Sequence, residues 1–358
     1  MSQLYHERRR SLKENIQRSF SMKSIKAIGG VILMMTLVFT FASCGDGAGG
    51  GDPTVYVAGW YSDGSKSIAC YWRDGVKIDL STNDSEALAI SVVNGDVYVA
   101  GQYWNGSNWV ACYWKDGAIT ELSDVDSNAN AITVVNSGGT QVVYAAGAYN
   151  DGSKDIACYW KDGIKTDLSS VNSSAIAMTV ANGDVYVAGQ YNNGSTYIAC
   201  YWKDDGAVSK TDLSGVESYV NAMSVVNSGG TPNVYVAGLC YNGNYVACYW
   251  KDGVKTDLSL VNSDARAMSV VNSGGAQVVY AAGNCYNGSI TVACYWKDGI
   301  KTDLSSVNSG TIAMTVANGD IYTAGGYESG SNNVACYWKN GIKTDLSASS
   351  SVTAIFVQ

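Results

Sequence analysis

Beyond residue 53 the chain is written in short apolar runs, alternating with polar positions and cut by clusters of Asn, Asp, Gly and Ser. One cycle shows the pattern clearly. Ala175 to Ala181 is a run of small and branched residues, Asn182-Gly183-Asp184 is a hairpin turn, and Val185-Tyr186-Val187-Ala188-Gly189-Gln190-Tyr191 follows. After the polar loop Asn192 to Ser195 comes a third run, Tyr197 to Trp202, then a second turn and the most polar run, Ser209-Lys210-Thr211-Asp212-Leu213. Runs of this length with a period of two, bounded by Asn-Gly and Asp-Gly turns, predict strands joined as hairpins.

The cycle recurs. Its most constant stretch is Ala-Cys-Tyr-Trp-Lys-Asp-Gly, as at Ala157 to Gly163, and its tryptophans (Trp72, Trp114, Trp160, Trp202, Trp250, Trp296 and Trp338) are spaced 42, 46, 42, 48, 46 and 42 residues apart. A period of this size with four strands per cycle predicts a β-propeller blade. The small residues of the first run suit the crowded axis, and the charges of the Lys-Thr-Asp-Leu run suit an open outer edge. The chain enters at a second strand, Val55 to Gly59, and leaves on a lone first strand, Val352 to Val357. The expectation is therefore an all-β, seven-bladed propeller over residues 54–358, closed by three strands from the front and one from the back. Period two puts Ile198, Cys200 and Trp202 on one face of a middle strand and Ala199 and Tyr201 on the other, so the tryptophan ring is read as packing between blades. The first turn of each cycle varies between short (Asn94, Asn182) and long (Asn136, Asn227, Asn272) forms, as expected of expansion by copying units of one or two blades.

Charge sharpens the division of the chain. The net charge is −8, but residues 1–43 hold seven basic and two acidic side chains, leaving 16 basic against 29 acidic in the remainder, a net −13. A surface this acidic repels phosphate backbones and argues against nucleic acid as a partner. Near the amino terminus, the basic Met22-Lys23-Ser24-Ile25-Lys26 precedes an apolar run from Ala27 to Thr40, the length of a signal-peptide core and short for a bilayer span. The run ends at Phe41-Ala42-Ser43-Cys44. This resembles the lipobox of bacterial lipoproteins, although Phe41 stands where Leu is usual. The resemblance implies acylation of Cys44, a signal peptide over 22–43 with translation starting at Met22, and an upstream extension over 1–21. Gly45 rather than Asp after the cysteine points, by the same resemblance, to the outer membrane or cell surface. The glycine-rich 44–53 then reads as a flexible tether, so the membrane is met only through the lipid anchor. The competing reading is an uncleaved anchor with a free Cys44.

The candidate chemistry is sparse. The one histidine, His6, falls in the segment expected to be removed, which excludes histidine-based nucleophilic sites and histidine metal ligands; no metal or cofactor is predicted. Seven of the ten cysteines belong to the repeat and read as small buried hydrophobes, since equivalent positions in neighbouring blades lie too far apart to bridge. Cys240 and Cys285 are extra and occupy the slot held by Tyr61, Tyr103, Tyr149, Tyr191 and Tyr327; free thiols are favoured there over a Cys240–Cys285 bridge. The repeated carboxylates (Asp79, Glu121, Asp167, Asp212, Asp257, Asp303 and Asp345) sit on separate outer strands, while Glu86, Glu217, Asp264 and Glu328 break the pattern, each in a different blade.

In a propeller, the loops from outer to inner strand and from second to third strand emerge on one face, and ligands are usually met on such loops. That face gathers Trp60, Trp104 and Trp109, the tryptophans outside the ring, with Tyr197, Tyr219, Tyr245 and Arg266. Exposed aromatics over Asn-Gly-Ser loops are what stacking on a sugar or an extended protein segment requires. Trp60, Trp104 and Trp109, confined to the first two cycles, are the leading candidates. The competing role for all of these aromatics is packing against neighbouring loops.

The first two strands of each cycle resemble the inner strands of NHL-type propellers, and residues 54–358 as a whole are similar to bacterial exported propellers built from tandem Tyr-Val-Ala-Gly and Tyr-Trp-Lys-Asp/Asn-Gly units. Sialidase boxes and the paired glycines of kelch blades are missing. The resemblance carries no catalytic motif. The expectation is a lipid-anchored, monomeric, non-catalytic surface module binding a glycan or protein through the loop face; the alternatives are a polysaccharide lyase or glycosidase, and a purely structural coat protein.

Overall fold

The structure, a computed structural model, describes residues 53–358 apart from 138, 228, 229, 274 and 331. The upstream extension, the signal peptide, Cys44 and the tether up to residue 52 lie outside the described residues.

Every blade is an antiparallel sheet of four strands, and seven of them form the ring. Blade 2 is typical: Ser85–Val93 lies innermost, followed outward by Asp96–Trp104, Trp109–Lys115 and Ala118–Glu121. Blade 1 is closed as expected, with Ser350–Val357 from the end of the chain inside Val55–Ser62, Ser67–Arg73 and Val76–Asp79. The closing pair runs from Val55 opposite Val357 to Tyr61 opposite Ser350 with one register shift at Ala58/Gly59, and Thr54 and Gln358 exchange backbone hydrogen bonds of 2.9 and 3.0 Å. Joining the two ends in one sheet removes the seam at which an open ring would fray.

The tryptophans are core: all seven ring members are at most 1% exposed. At the seam between blades 1 and 2, Tyr56, Ala58, Ala69 and Tyr71 pack against Ile90, Val99, Cys112 and Trp114. The Cys and Trp face of a middle strand thus meets the preceding blade and the Ala and Tyr face the following one, as a period of two requires.

Lys-Asp-Gly gains a specific role. Asp162 and Gly163 both take positive φ, 47° and 82°, the geometry of a type I′ hairpin turn. The Asp162 carboxylate then accepts the N–H of Val143, 2.9 Å away on the second strand. Asp74, Asp116, Asp252, Asp298 and Asn340 repeat this bond at 2.8–3.0 Å. The turn residue therefore ties the outer hairpin to the strand inside it.

Two features were not legible beforehand. The innermost strands carry a bulge, at Leu88 in blade 2 and at Asn221 in blade 5, which pushes a carbonyl outward against the second strand. A Cβ on Gly238 would lie 1.9 Å from the Tyr219 carbonyl oxygen, so the glycine of Tyr-Val-Ala-Gly is required by this close approach. Secondly, the serine that opens the innermost strand ties neighbouring blades together at six seams: Ser85 Oγ accepts the N–H of Ala69 at 3.0 Å, and Ser127, Ser173, Ser218, Ser263 and Ser309 do the same.

Candidate binding rim

The loops from fourth to first strand and from second to third strand do share one rim. The link is direct: Trp104 N–H donates to Asp84 O, Asn192 N–H to Asn172 O and Tyr241 N–H to Glu217 O, at 2.7–2.9 Å. The end of each second strand is thereby clipped to the loop that enters its own blade.

On this rim the seven candidate residues divide into four groups. Trp104 and Trp109 face each other across a strand pair in blade 2, with ring centroids 6.1 Å apart in an edge-on arrangement, and both are half-buried. Trp60 is not part of that pair. It lies on blade 1 between Ala69 and Ser351, on the face turned toward blade 2, half-buried with an indole N–H that finds no acceptor among the described residues. Trp104 and Trp109 sit on the corresponding face of blade 2, one seam further round the ring.

Tyr197, Tyr219 and Tyr245 do come together, across the seam of blades 4 and 5. Ring centroids are 6.1 Å apart for Tyr197 and Tyr219 and 6.2 Å for Tyr219 and Tyr245. Tyr241 extends the row, 5.2 Å from Tyr245 and 45% exposed. At its centre is Glu217, whose Oε1 accepts the hydroxyls of both Tyr219 and Tyr245 at 2.8 Å. Burial and this carboxylate push both phenols well above the usual tyrosine range, so they stay protonated donors. Asn172 donates to the Tyr197 hydroxyl at 3.2 Å. Sequence reasoning marked Glu217 as breaking the repeat but did not place it here, and it passed over Tyr241. A row-by-row alignment of the blades carries the missing signal: the residue opening a third strand lies beside the start of the next blade's innermost strand.

Arg266 stands alone among the candidates. It occupies the bulge slot of blade 6, where Leu88 and Ile176 stand in blades 2 and 4, and its Nε donates to Asp264 Oδ2 at 2.7 Å. Asp264 also accepts the N–H of Asn284 at 3.1 Å. The other pattern-breaking carboxylates are held within their own blades, Glu86 by Gln102 at 2.7 Å and Glu328 by Asn308 at 2.7 Å. Among the described residues, no three His, Cys, Asp or Glu side chains are grouped to hold a metal.

Among the described residues, the nine cysteines are buried and free. Burial pushes the thiols of Cys70 and Cys336 up to about 12, which leaves them without nucleophilic character at neutral pH. Cys240 and Cys285 lie in the tyrosine slot as expected, each beside the repeat cysteine of its own blade.

No family model matches the chain, and neither does any curated protein sequence. Solved structures with a similar shape include TolB from Acinetobacter baumannii, at 9% identity and a TM-score of 0.45 over 69% of this chain and 62% of that one. The chain thus covers a little under two thirds of TolB. A putative glycoside hydrolase from Parabacteroides distasonis aligns at 9% identity and a TM-score of 0.32 over 64% of this chain and 87% of the other. A glycosyl hydrolase from Bacteroides ovatus aligns at 11% identity and a TM-score of 0.33, over 75% and 84%. Likenesses this distant carry no functional argument.

Proposed function

We propose that this chain is a lipid-anchored surface module that binds glycan without transforming it, through the rim formed by the second-to-third and fourth-to-first strand loops. The observation that carries the reading is the tyrosine row around Glu217. Four aromatic rings, one of them 45% exposed, form a row in which one carboxylate fixes the two phenols of Tyr219 and Tyr245, which is a preorganised stacking surface with polar edges. Trp104 and Trp109 provide a second platform on the same rim. A non-catalytic role is supported by the carboxylates: Glu217, Glu86, Asp264 and Glu328 lie in four different blades and each is tied to a hydrogen-bond partner of its own blade, whereas glycosidic cleavage needs two carboxyl groups flanking the sugar roughly 5–10 Å apart. Export and anchoring rest on the lipobox resemblance at Cys44, with the outer membrane or cell surface as destination.

A glycan array probed with the full chain in detergent, followed by calorimetry on the best ligand, tests the reading. Tyr241→Ala combined with Tyr245→Ala is expected to weaken binding more than tenfold, with the glycan recovered intact. Unchanged binding would remove the site, and turnover of the glycan would establish the enzyme alternative. Labelled palmitate should follow the chain and be lost in Cys44→Ala.

A further inference from the structure

Five blades fasten their second strand to their outermost strand with a tyrosine. Tyr61, Tyr149, Tyr191 and Tyr327 donate to Asp79, Asp167, Asp212 and Asp345 at 3.0–3.1 Å, and Tyr103 donates to Glu121. In four of them a lysine of the outermost strand lies over the ring, 3.2–3.3 Å from its centroid. Blades 5 and 6 lack this staple. Their tyrosine is replaced by Cys240 and Cys285, too short to reach the outermost strand; Lys255–Asp257 and Lys301–Asp303 still pair at 2.8 and 2.9 Å, as the equivalent residues do in the stapled blades, but no phenol joins them to the second strand.

What the shorter side chain reaches is the repeat cysteine of the third strand. Cys294 Sγ lies 3.5 Å from Cys285 Sγ. The registers are the same in both blades: Gly283 is opposite Cys294 and Cys285 opposite Val292, as Gly238 is opposite Cys248 and Cys240 opposite Val246. The repeat cysteine thus faces a residue with no side chain, and the Cys294 thiol lies against the Gly283 carbonyl oxygen at 3.6 Å as well as against the extra thiol. All four thiols are at most 2% exposed. The remaining cysteines of the ring have tyrosine, not cysteine, at this diagonal position.

The geometry points to two covalent sites, Cys240–Cys248 and Cys285–Cys294, each a dithiol that closes to a disulfide within its own blade when the chain folds in an oxidising medium, replacing the missing tyrosine staple. The oxidant is a small disulfide. A thiolate of the pair attacks it, giving a mixed disulfide and one released thiol; the partner thiolate then attacks the protein-bound sulfur and expels the second thiol. Two S–H bonds are exchanged for one S–S bond, and two protons and two electrons pass to the oxidant. Burial of the finished pair confines the first attack to the folding chain.

The test is refolding of the full chain in a mixture of reduced and oxidised glutathione, followed by denaturing alkylation and peptide mapping. The expected result is loss of four alkylatable thiols, with cross-linked peptides joining Cys240 to Cys248 and Cys285 to Cys294, and no such loss in Cys240→Tyr combined with Cys285→Tyr. Reductant should lower the melting temperature of the bridged wild type by about 2–4 °C and leave the double tyrosine variant unmoved. Full alkylation of all four cysteines, bridges joining different partners such as Cys240 to Cys285, glutathione adducts without bridges, or bridges that reductant removes with no change in melting would each overturn the proposal.

Discussion

The two rims of the propeller are built from the same seven repeats and have diverged differently. On the rim of the first-to-second and third-to-fourth turns, the same Asp or Asn cap recurs blade after blade, with Asn340 accepting the Ile321 N–H at 2.8 Å just as Asp162 accepts that of Val143. On the opposite rim the pair at the mouth of the second-to-third strand loop differs in every blade: Trp104 pairs with Trp109, Asn192 with Tyr197, Tyr241 with Tyr245 and Glu328 with Asn333. A residue that every blade needs is one that packing or a turn requires, and such residues cannot single out one place on a near-symmetric ring. Departures from the repeat can, and they concentrate on one rim.

If that division holds, substitutions in the repeated body cost stability and those on the divergent rim cost binding. The largest stability effect should come from the body: Trp202→Ala, at a ring position 1% exposed, is expected to cost about 3–5 kcal/mol, read as a lowered denaturant midpoint. Next is the capped turn. Asp162→Ala places a Cβ-bearing residue without a compensating bond at φ 47° and leaves the Val143 N–H unanswered, a cost of about 1–2 kcal/mol, whereas Asp162→Asn should be close to neutral because Asn340 already performs the same task. Both variants should leave ligand affinity within twofold.

The smallest expected effect concerns protons on the divergent rim. Tyr219 and Tyr245 have phenols raised above the ordinary value of 10.0 by burial first and by Glu217 second. A group that binds its proton more tightly in the folded state contributes stability that is intact below its unfolded value and is lost as pH climbs above it. The protein should therefore lose stability above pH 10, with these two tyrosines ionising late in an absorbance titration. Glu217→Gln removes the carboxylate and should bring their titration earlier.

The architecture was legible because a propeller repeats its information. Seven copies of the Cys-Tyr-Trp middle strand and the lone strand at Val352 to Val357 sufficed for blade count and closure. The Gly238 contact with a bulged carbonyl and the Ser85 bond across a seam were not legible, since both depend on how neighbouring backbones approach. On the rim, the aromatic identities could be read directly but their company could not. Trp60 falls one seam before the pair it was grouped with, because period two decides which blade a side chain faces. Tyr197, Tyr219 and Tyr245 met as neighbours only once the seam between blades 4 and 5 was formed, and Glu217 and Tyr241 entered with them. The same contrast marks Cys240 and Cys285, which look like loose thiols in sequence and lie diagonally across a strand pair from a second cysteine in the fold.

The most direct measurement compares matched double substitutions on the two rims. Tyr241→Ala with Tyr245→Ala alters the divergent rim, while Val254→Ala with Ile300→Ala removes apolar side chains that are 70% and 74% exposed on the repeated rim. Calorimetric titration of one glycan ligand into both, with denaturant midpoints recorded alongside, should show affinity falling more than tenfold in the first and unchanged in the second. Equal affinity in both, or a loss confined to the repeated rim, would contradict the assignment of binding to the divergent loops.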